Sequence, residues 1–105
     1  MEKFAKAFSS KRLTKTVKPW ALAGVVGSGN LEVLLERARP SDTMECHVET
    51  SIAGYKSSWL AALGDFAHHY PAGGIKVTIN DQGAPPVLVN LRLRQAYDDL
   101  TKGDK

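Results

Sequence analysis

Residues 20–36 read Trp-Ala-Leu-Ala-Gly-Val-Val-Gly-Ser-Gly-Asn-Leu-Glu-Val-Leu-Leu-Glu, and they hold the strongest structural signal of the chain. Two apolar runs, 20–26 and 31–36, flank a short polar segment, and the second run alternates as a half-buried strand does. Glycine has no Cβ and accepts a positive φ, so a Gly-Ser-Gly tip can turn tightly and leave room around the serine. The stretch therefore predicts a β-hairpin that exposes Ser28 between Gly27 and Gly29.

The central part of the chain changes from a strand period to a helix period. Residues 44–52 alternate between apolar and polar side chains, which indicates a third strand with one wet face. Behind Ser57 or Ser58 as the N-cap, large apolar residues recur every three or four positions, as in an amphipathic helix: Trp59, Leu63, Phe66 and Tyr70. Proline and glycines at 71–74 end that helix, and residues 75–79 predict a fourth strand.

The last element is ambiguous from its pattern alone. Val87, Val89 and Leu91 alternate as a strand would, whereas Val89, Leu93 and Leu100 fit a helical spacing. Prolines at 85 and 86 suit a first helical turn, so we predict a helix over 86–101. The order β-β-β-α-β-α predicts an α+β two-layer sandwich, with a mainly antiparallel four-stranded sheet and both helices on one face.

Composition limits the class of protein. With 105 residues and 43% hydrophobic residues, the chain is sized for one compact core. No stretch approaches the ~20 apolar residues that span a bilayer, so we expect a soluble cytoplasmic protein without a membrane partner. Cys46 is the only cysteine, which excludes an internal disulfide, and with three histidines it gives no structural zinc spacing.

The formal charge of +3 comes from an uneven distribution of lysine and arginine. Six basic residues lie in the first eighteen: Lys3, Lys6, Lys11, Arg12, Lys15 and Lys18. Such a cluster fits a solvated, mobile terminus or an arm that binds nucleic acid or phosphate; residues 1–10 also allow a short helix. No aromatic residue among 11–18 is available for base stacking, so we expect no nucleic-acid partner. The predicted division is a basic extension (1–18), a domain (19–102) and a tail (103–105).

The chemistry around Ser28 is poor in catalytic groups. The nucleophile elbow needs Gly-x-Ser-x-Gly, whereas both glycines here adjoin the serine, and no Walker lysine follows the tip. His47, His68 and His69 fit solvated or structural positions, so no catalytic residue and no metal ligand is predicted. An exposed hydroxyl without such partners suits covalent modification, in which an attached group supplies the chemistry.

The chain resembles the acyl carrier (delta) subunits of malonate decarboxylase over residues 20–100. The resemblance rests on residues 21–36 around the Gly27-Ser28-Gly29 tip and on the turn Asn80-Asp81-Gln82-Gly83-Ala84. It also includes Glu49-Thr50-Ser51-Ile52, the helix around Trp59 and residues 91–96. A more distant resemblance is to the acyl carrier chain of citrate lyase, which has the same layout of strands, helix and turn.

The resemblance implies a site and its partners. Ser28, flanked by Gly27 and Gly29, would carry 2'-(5''-phosphoribosyl)-3'-dephospho-coenzyme A through a phosphodiester, with acetyl and malonyl groups held as thioesters. The implied partners are the acyl transferase and carboxy-lyase subunits of malonate decarboxylase, the prosthetic-group transferase and a malonyl transferase. The chain would then be a non-catalytic carrier subunit.

Two features depart from that family pattern, and two other functions stay open. The basic first eighteen residues have no counterpart that we can match, and Asn30 stands where we expect aspartate.

Arg92, Arg94 or the N-terminal lysines are candidates to pair with phosphates of the prosthetic group. The alternatives are a serine hydrolase acting through Ser28 and a small module that binds through its basic N-terminus.

Overall fold

The computed structural model describes residues 1–103, which form one five-stranded sheet and two helices. Within these residues the strands are β1 (Glu2–Ser9), β2 (Trp20–Gly24), β3 (Leu31–Arg37), β4 (Thr43–Thr50) and β5 (Ile75–Asp81), and the helices are α1 (Lys56–His69) and α2 (Pro86–Lys102). The predicted α+β class is confirmed. Of the predicted tail 103–105, residues 104 and 105 lie outside the described residues.

The sheet is mixed, which corrects the predicted four-stranded, mainly antiparallel arrangement. Its order is β1-β4-β5-β3-β2, with every neighbouring pair antiparallel except β4 and β5. Parallel neighbours need a crossover connection, and α1 supplies it between β4 and β5. β2 and β3 form the predicted hairpin, with Leu22 opposite Leu34.

The sequence left residues 1–10 open to a short helix or a mobile terminus, and the structure instead has the edge strand β1 there. β1 pairs with β4 along its length, from Glu2 opposite Thr50 to Ser9 opposite Thr43. Phe4 and Phe8 are four positions apart, a spacing that puts them on one face of a strand as well as of a helix. Both rings pack against the core, and this burial favours the strand.

Residues 10–18 cross the end of the sheet opposite to the hairpin tip. The Ser10 hydroxyl donates to the Ala67 carbonyl at 3.0 Å and accepts from the Ala72 N–H at 2.9 Å. Further along, the Thr14 N–H donates to the Gly73 carbonyl, and Val17 donates to a carbonyl in the last turn of α2. The basic cluster of 11–18 is thereby held away from Ser28.

Both helices pack on one face of the sheet, as predicted. The buried side chains of the strands and of the two helices form one cluster, in which the rings of Phe66 and Tyr97 meet edge to face with centroids 5.4 Å apart. α2 lies over β2 and β3, whereas α1 lies over β1. The opposite face of the sheet is open and carries Trp20 and Leu22, both exposed.

The helix termini differ in part from the sequence-based expectation. α1 begins at Lys56 with Tyr55 as N-cap and no side-chain capping bond, so the predicted cap at Ser57 or Ser58 is wrong. α2 runs from Pro86 to Lys102, which confirms the predicted helix within one residue. Among the described residues, no helix is long and apolar enough to cross a membrane.

Candidate functional site

Four strand ends and both helix starts meet at one end of the sheet. Asp81, which ends β5, pairs with Leu31 at the start of β3 and with Thr50 at the end of β4. β2 ends beside them at Gly24. Because α1 follows β4 and α2 follows β5, the N-terminal turns of both helices also lie at this end. The hairpin tip of residues 25–30 projects beyond it.

Ser28 is exposed within this tip. Inside the tip, Asn30 donates its N–H to the Gly27 carbonyl at 2.9 Å, and the Asn30 side-chain oxygen accepts the Leu31 N–H at 2.8 Å. Asn30 therefore caps the turn without a charge. No side chain among residues 1–103 forms a hydrogen bond with the Ser28 hydroxyl.

The two glycines beside Ser28 differ in conformation but share open surroundings. Gly29 has φ +72°, a region that side-chain-bearing residues rarely adopt, whereas the φ of Gly27 is not positive. A Cβ built at Gly29 would meet nothing within 4 Å, and one at Gly27 would touch only Val25 at 4.0 Å. Space around the hydroxyl therefore lets another molecule approach it from either side.

The tip is fastened to the turn that follows β5. The Gly29 N–H donates to the Gln82 carbonyl at 2.8 Å, and the Gln82 N–H donates to the Asn30 carbonyl at 2.9 Å. This reciprocal pair fixes the tip to a defined part of the domain. Ser28 is thus presented on an anchored turn.

Asp81 holds that turn in place. Its buried carboxylate accepts the Thr50 hydroxyl at 2.8 Å, the Gly83 N–H at 3.2 Å and the Ala84 N–H at 2.9 Å. Since a buried carboxylate is costly unless it is hydrogen-bonded, these three donors explain why an acid is tolerated there. Residue reasoning alone gave Asp81 no role, although its place in an Asn-Asp-Gln-Gly turn was a usable signal.

Arg92 lies at the base of the tip. A Cβ on Gly24, which has φ +82°, would stand 3.1 Å from Arg92 Cδ and 3.2 Å from its Nε. The Arg92 Nη1 donates to Gln95 Oε1 at 2.8 Å, whereas the Nε is buried and has no hydrogen-bond partner among residues 1–103. Arg92 therefore places a positive charge at the base of the tip, and a guanidinium suits anions such as phosphate.

The other basic candidates lie elsewhere or have partners. Arg94 shares a surface cavity with Asp65 and His69, in the second half of α1 and away from the tip. Lys3 forms an ion pair with Glu49 at 3.4 Å, and Lys18 forms one with an aspartate of α2. Arg92 is therefore the candidate that the structure brings to the base of the tip.

The histidines do not assemble a catalytic group with Ser28. His47 lies within β4 and bonds Glu45 Oε2 at 2.6 Å, an interaction that lowers the pKa of the Glu45 carboxyl. His68 and His69 end α1, at the end of the sheet opposite to Ser28. Cys46 is buried in the core, and desolvation raises the pKa of its thiol to about 12.

The fold and the tip together define a class: a small two-layer α+β domain that displays a serine on an anchored, glycine-flanked turn. The family model described as Malonate decarboxylase delta subunit (MdcD) matches residues 18–100. The chain belongs to this family.

Similar proteins agree with that assignment. The chain is 42% identical over 104 residues to the malonate decarboxylase acyl carrier protein of Xanthomonas axonopodis pv. citri, with 99% of each chain covered. It is 49% identical over 93 residues to the protein of that name from Burkholderia cepacia, covering 89% of this chain and 84% of the relative. A chain in the crystal structure of a Pseudomonas malonate decarboxylase hetero-tetramer in complex with malonate superimposes with a TM-score of 0.81. That match has 33% identity and covers 94% of this chain and 98% of the other.

Proposed function

We propose that this chain is the acyl carrier subunit of a malonate decarboxylase, and that Ser28 is the attachment point of its prosthetic group. The observation that carries the proposal is the anchored tip, which exposes the Ser28 hydroxyl at the centre of the family's glycine-serine-glycine motif. A serine that carries a covalent arm must be reachable by the enzyme that attaches it, and Gly27 and Gly29 leave that access open.

The group that we propose is 2'-(5''-phosphoribosyl)-3'-dephospho-coenzyme A, joined to Ser28 Oγ as a phosphodiester. When bound, it supplies a thiol that holds acetyl and malonyl groups as thioesters. The residues of this chain position that thiol and keep its anchor fixed. A tether raises the local concentration of the acyl group at each partner site, so the domain contributes proximity and the partners perform the chemistry.

The residues at the tip fit a phosphate-bearing group. The buried Nε of Arg92 lacks a partner, although a buried donor of this kind normally has one. A phosphate oxygen at the base of the tip would satisfy it once the Arg92 side chain turns to expose this N–H, and a guanidinium suits phosphate geometry better than an ammonium does. No acidic side chain stands in the described tip, residues 25–30, to repel an anion.

The partners follow from the same proposal. An acyl transferase subunit would exchange the carried acetyl group for malonate, and carboxy-lyase subunits would decarboxylate the malonyl form. A prosthetic-group transferase and a malonyl transferase would load the chain. The hetero-tetrameric assembly of the Pseudomonas relative supports a subunit role for this chain.

The test is the mass of the protein purified from cells that contain its modifying enzymes. We expect denatured-protein mass spectrometry to show one prosthetic-group adduct on the wild type and none on Ser28→Ala. Ser51→Ala is the matched control, because Ser51 is also exposed and follows β4 at the same end of the sheet. Ser51→Ala should keep both the adduct and the malonate decarboxylase activity of the complex.

A wild-type protein without an adduct, or an active complex containing Ser28→Ala, would contradict the proposal. A serine hydrolase gives a different result: Ser28 would react with a fluorophosphonate probe, and the isolated chain would hydrolyse esters. A module that binds through its basic N-terminus would lose salt-dependent nucleic-acid binding when residues 1–18 are removed.

A further inference from the structure

A cavity of about 330 Å³ lies at the same end of the sheet as the tip, between the first turns of α1 and α2. Its walls are largely apolar and aromatic: Ile52, Tyr55, Trp59, Ala62, Ala84 and Pro86. The volume is within the range of sites for small organic ligands, which are mostly apolar with few polar groups. The polar groups in the lining are the hydroxyls of Ser58 and Tyr55 and the Thr50–Asp81 pair, whose members already bond each other.

The mouth of this cavity exposes apolar surface that a ligand would cover. Ile52 and Tyr55 are 44% and 57% exposed, whereas Trp59 is only 7% exposed and closes the inner wall. Apolar surface of this kind stabilises a complex when it is removed from water. The nearest basic side chain of α1, Lys56, is directed elsewhere, with its ammonium 5.7 Å from the centroid of the Phe4 ring.

The cavity and the tip share a structural element. Asp81 and Gly83 line the cavity, and Gln82 between them makes the reciprocal backbone bonds to Gly29 and Asn30. Since Ser28 and Gly83 are each one residue from that bonded pair, their Cα atoms are at most about 15 Å apart. An arm that joins ribose, nucleotide, diphosphate and pantetheine units in series is longer than this span.

We propose that this cavity receives the sulfur-bearing end of the arm attached at Ser28. The pantetheine thiol or its short acyl thioester is then held out of water while the arm moves from one partner subunit to the next. This inference rests on the proposed function, because it needs the arm. The occupant has the matching chemistry: a flexible chain of methylenes and amides ending in a sulfur and, when loaded, a methyl group. The docked end would contact Trp59 and Ala62.

The test uses the reaction rate of the arm thiol in the loaded, deacylated protein. Cys46 is buried with a thiol pKa of about 12, so Ellman's reagent reports only the arm under native conditions. Ala62→Phe fills the cavity, and Ala61→Phe is the matched control because Ala61 adjoins it on α1 but is exposed. Coenzyme A gives the rate of an undocked thiol.

We expect the wild-type thiol to react about tenfold more slowly than coenzyme A, the ratio that corresponds to 90% docked arm. Ala62→Phe should react at nearly the coenzyme A rate, and Ala61→Phe should react as slowly as the wild type. A wild-type rate equal to that of coenzyme A would overturn the inference, as would equal rates for Ala61→Phe and Ala62→Phe.

A second measurement uses only the wild-type protein, so it does not depend on whether a cavity variant folds. In the wild type, the NMR resonance of the Trp59 indole N–H should shift when the arm is attached, while that of Trp20, on the open face, should not. An unchanged Trp59 resonance in a protein whose mass shows the adduct would refute docking alone. A protein whose mass shows no adduct would instead refute the proposed function.

Discussion

The Thr50 hydroxyl donates a 2.8 Å hydrogen bond to the Asp81 carboxylate, across the ends of the two parallel strands β4 and β5. Asp81 also accepts two N–H groups of the following turn, and Gln82 in that turn bonds the serine tip. The position of Ser28 is therefore coupled to a buried carboxylate that lies outside the hairpin.

Asp81→Ala should destabilise the domain by about 3 kcal/mol, because it removes three hydrogen bonds to a buried carboxylate and leaves the Gly83 and Ala84 N–H groups without their acceptor. Urea unfolding followed by circular dichroism measures the change. Asp98→Ala is the control, since Asp98 forms only an exposed pair with Lys102 and should change stability by less than about 0.5 kcal/mol. Equal effects of the two variants would refute the role of Asp81.

Gly24→Ala and Gly27→Ala should show that Gly24 is needed for folding, whereas Gly27 leaves space around Ser28. A Cβ at Gly24 would stand 2.0 Å from the Leu31 carbonyl oxygen at φ +82°, so we expect a loss of at least about 2 kcal/mol. Gly27→Ala has space and should leave the unfolding free energy within about 0.5 kcal/mol. If Gly27→Ala also slows loading of Ser28, the glycine serves the transferase; a large stability loss there would contradict this interpretation.

Ser10→Ala should show that the N-terminal segment belongs to the folded domain. Ser10 is 4% exposed, and its loss leaves the Ala67 carbonyl and the Ala72 N–H without their partner. We expect a cost of about 2 kcal/mol in urea unfolding. Ser9→Ala, at the neighbouring exposed position, should cost almost nothing. An insensitive Ser10 would mean that this segment is detached in solution.

On the proposed function, Arg92→Gln should weaken contact with a phosphate of the prosthetic group at the base of the tip. Loss of one charge-assisted hydrogen bond predicts roughly a tenfold slower loading of Ser28 by the prosthetic-group transferase, and a changed ³¹P spectrum of any loaded protein. Arg94→Gln is the control, because Arg94 lies two residues further along α2, beside the second half of α1. Identical loading rates and spectra for the two variants would show that Arg92 does not contact the phosphate.

The Cys46 thiol should make stability depend on alkaline pH. Its pKa is raised from 9.0 to about 12, so above pH 9 the unfolded chain releases a proton that the folded chain retains, and stability falls as pH rises. Comparing the wild type with Cys46→Ala isolates this effect. The difference in their unfolding free energies should change by about 2 kcal/mol between pH 8 and pH 10.5, in favour of the variant. A constant difference would indicate an accessible thiol.

The sequence predicted the elements whose signals lie within one segment and missed those that depend on distant neighbours. The hairpin follows from the alternation in 31–36. The pattern of α2 fits two periods, and the prolines at 85 and 86 favour the helix, which is confirmed. β1 was missed because a spacing of four between Phe4 and Phe8 fits a helix as well as a strand, and only the edge of β4 decides between them. The order β-α-β is typical of two parallel strands joined by a helix, but the predicted sheet did not include the parallel pair β4 and β5.

The candidate site was predictable in one part only. The exposure of Ser28 follows from its neighbouring glycines, which is a local property. The placement of Arg92 against Gly24 depends on how α2 crosses β2 and β3, and that packing has no signature in either segment. The role of Asp81 likewise needs Thr50, 31 residues away.

The burial of Cys46 has a consequence for the fate of the cargo. Acyl groups migrate from one sulfur to another when the acceptor is a thiolate that can reach the carbonyl carbon. Cys46 is 1% exposed and stays protonated at physiological pH. On the proposed function, a thioester held by this domain therefore finds no competing nucleophilic sulfur on its own carrier, and transfer is left to the partner subunits.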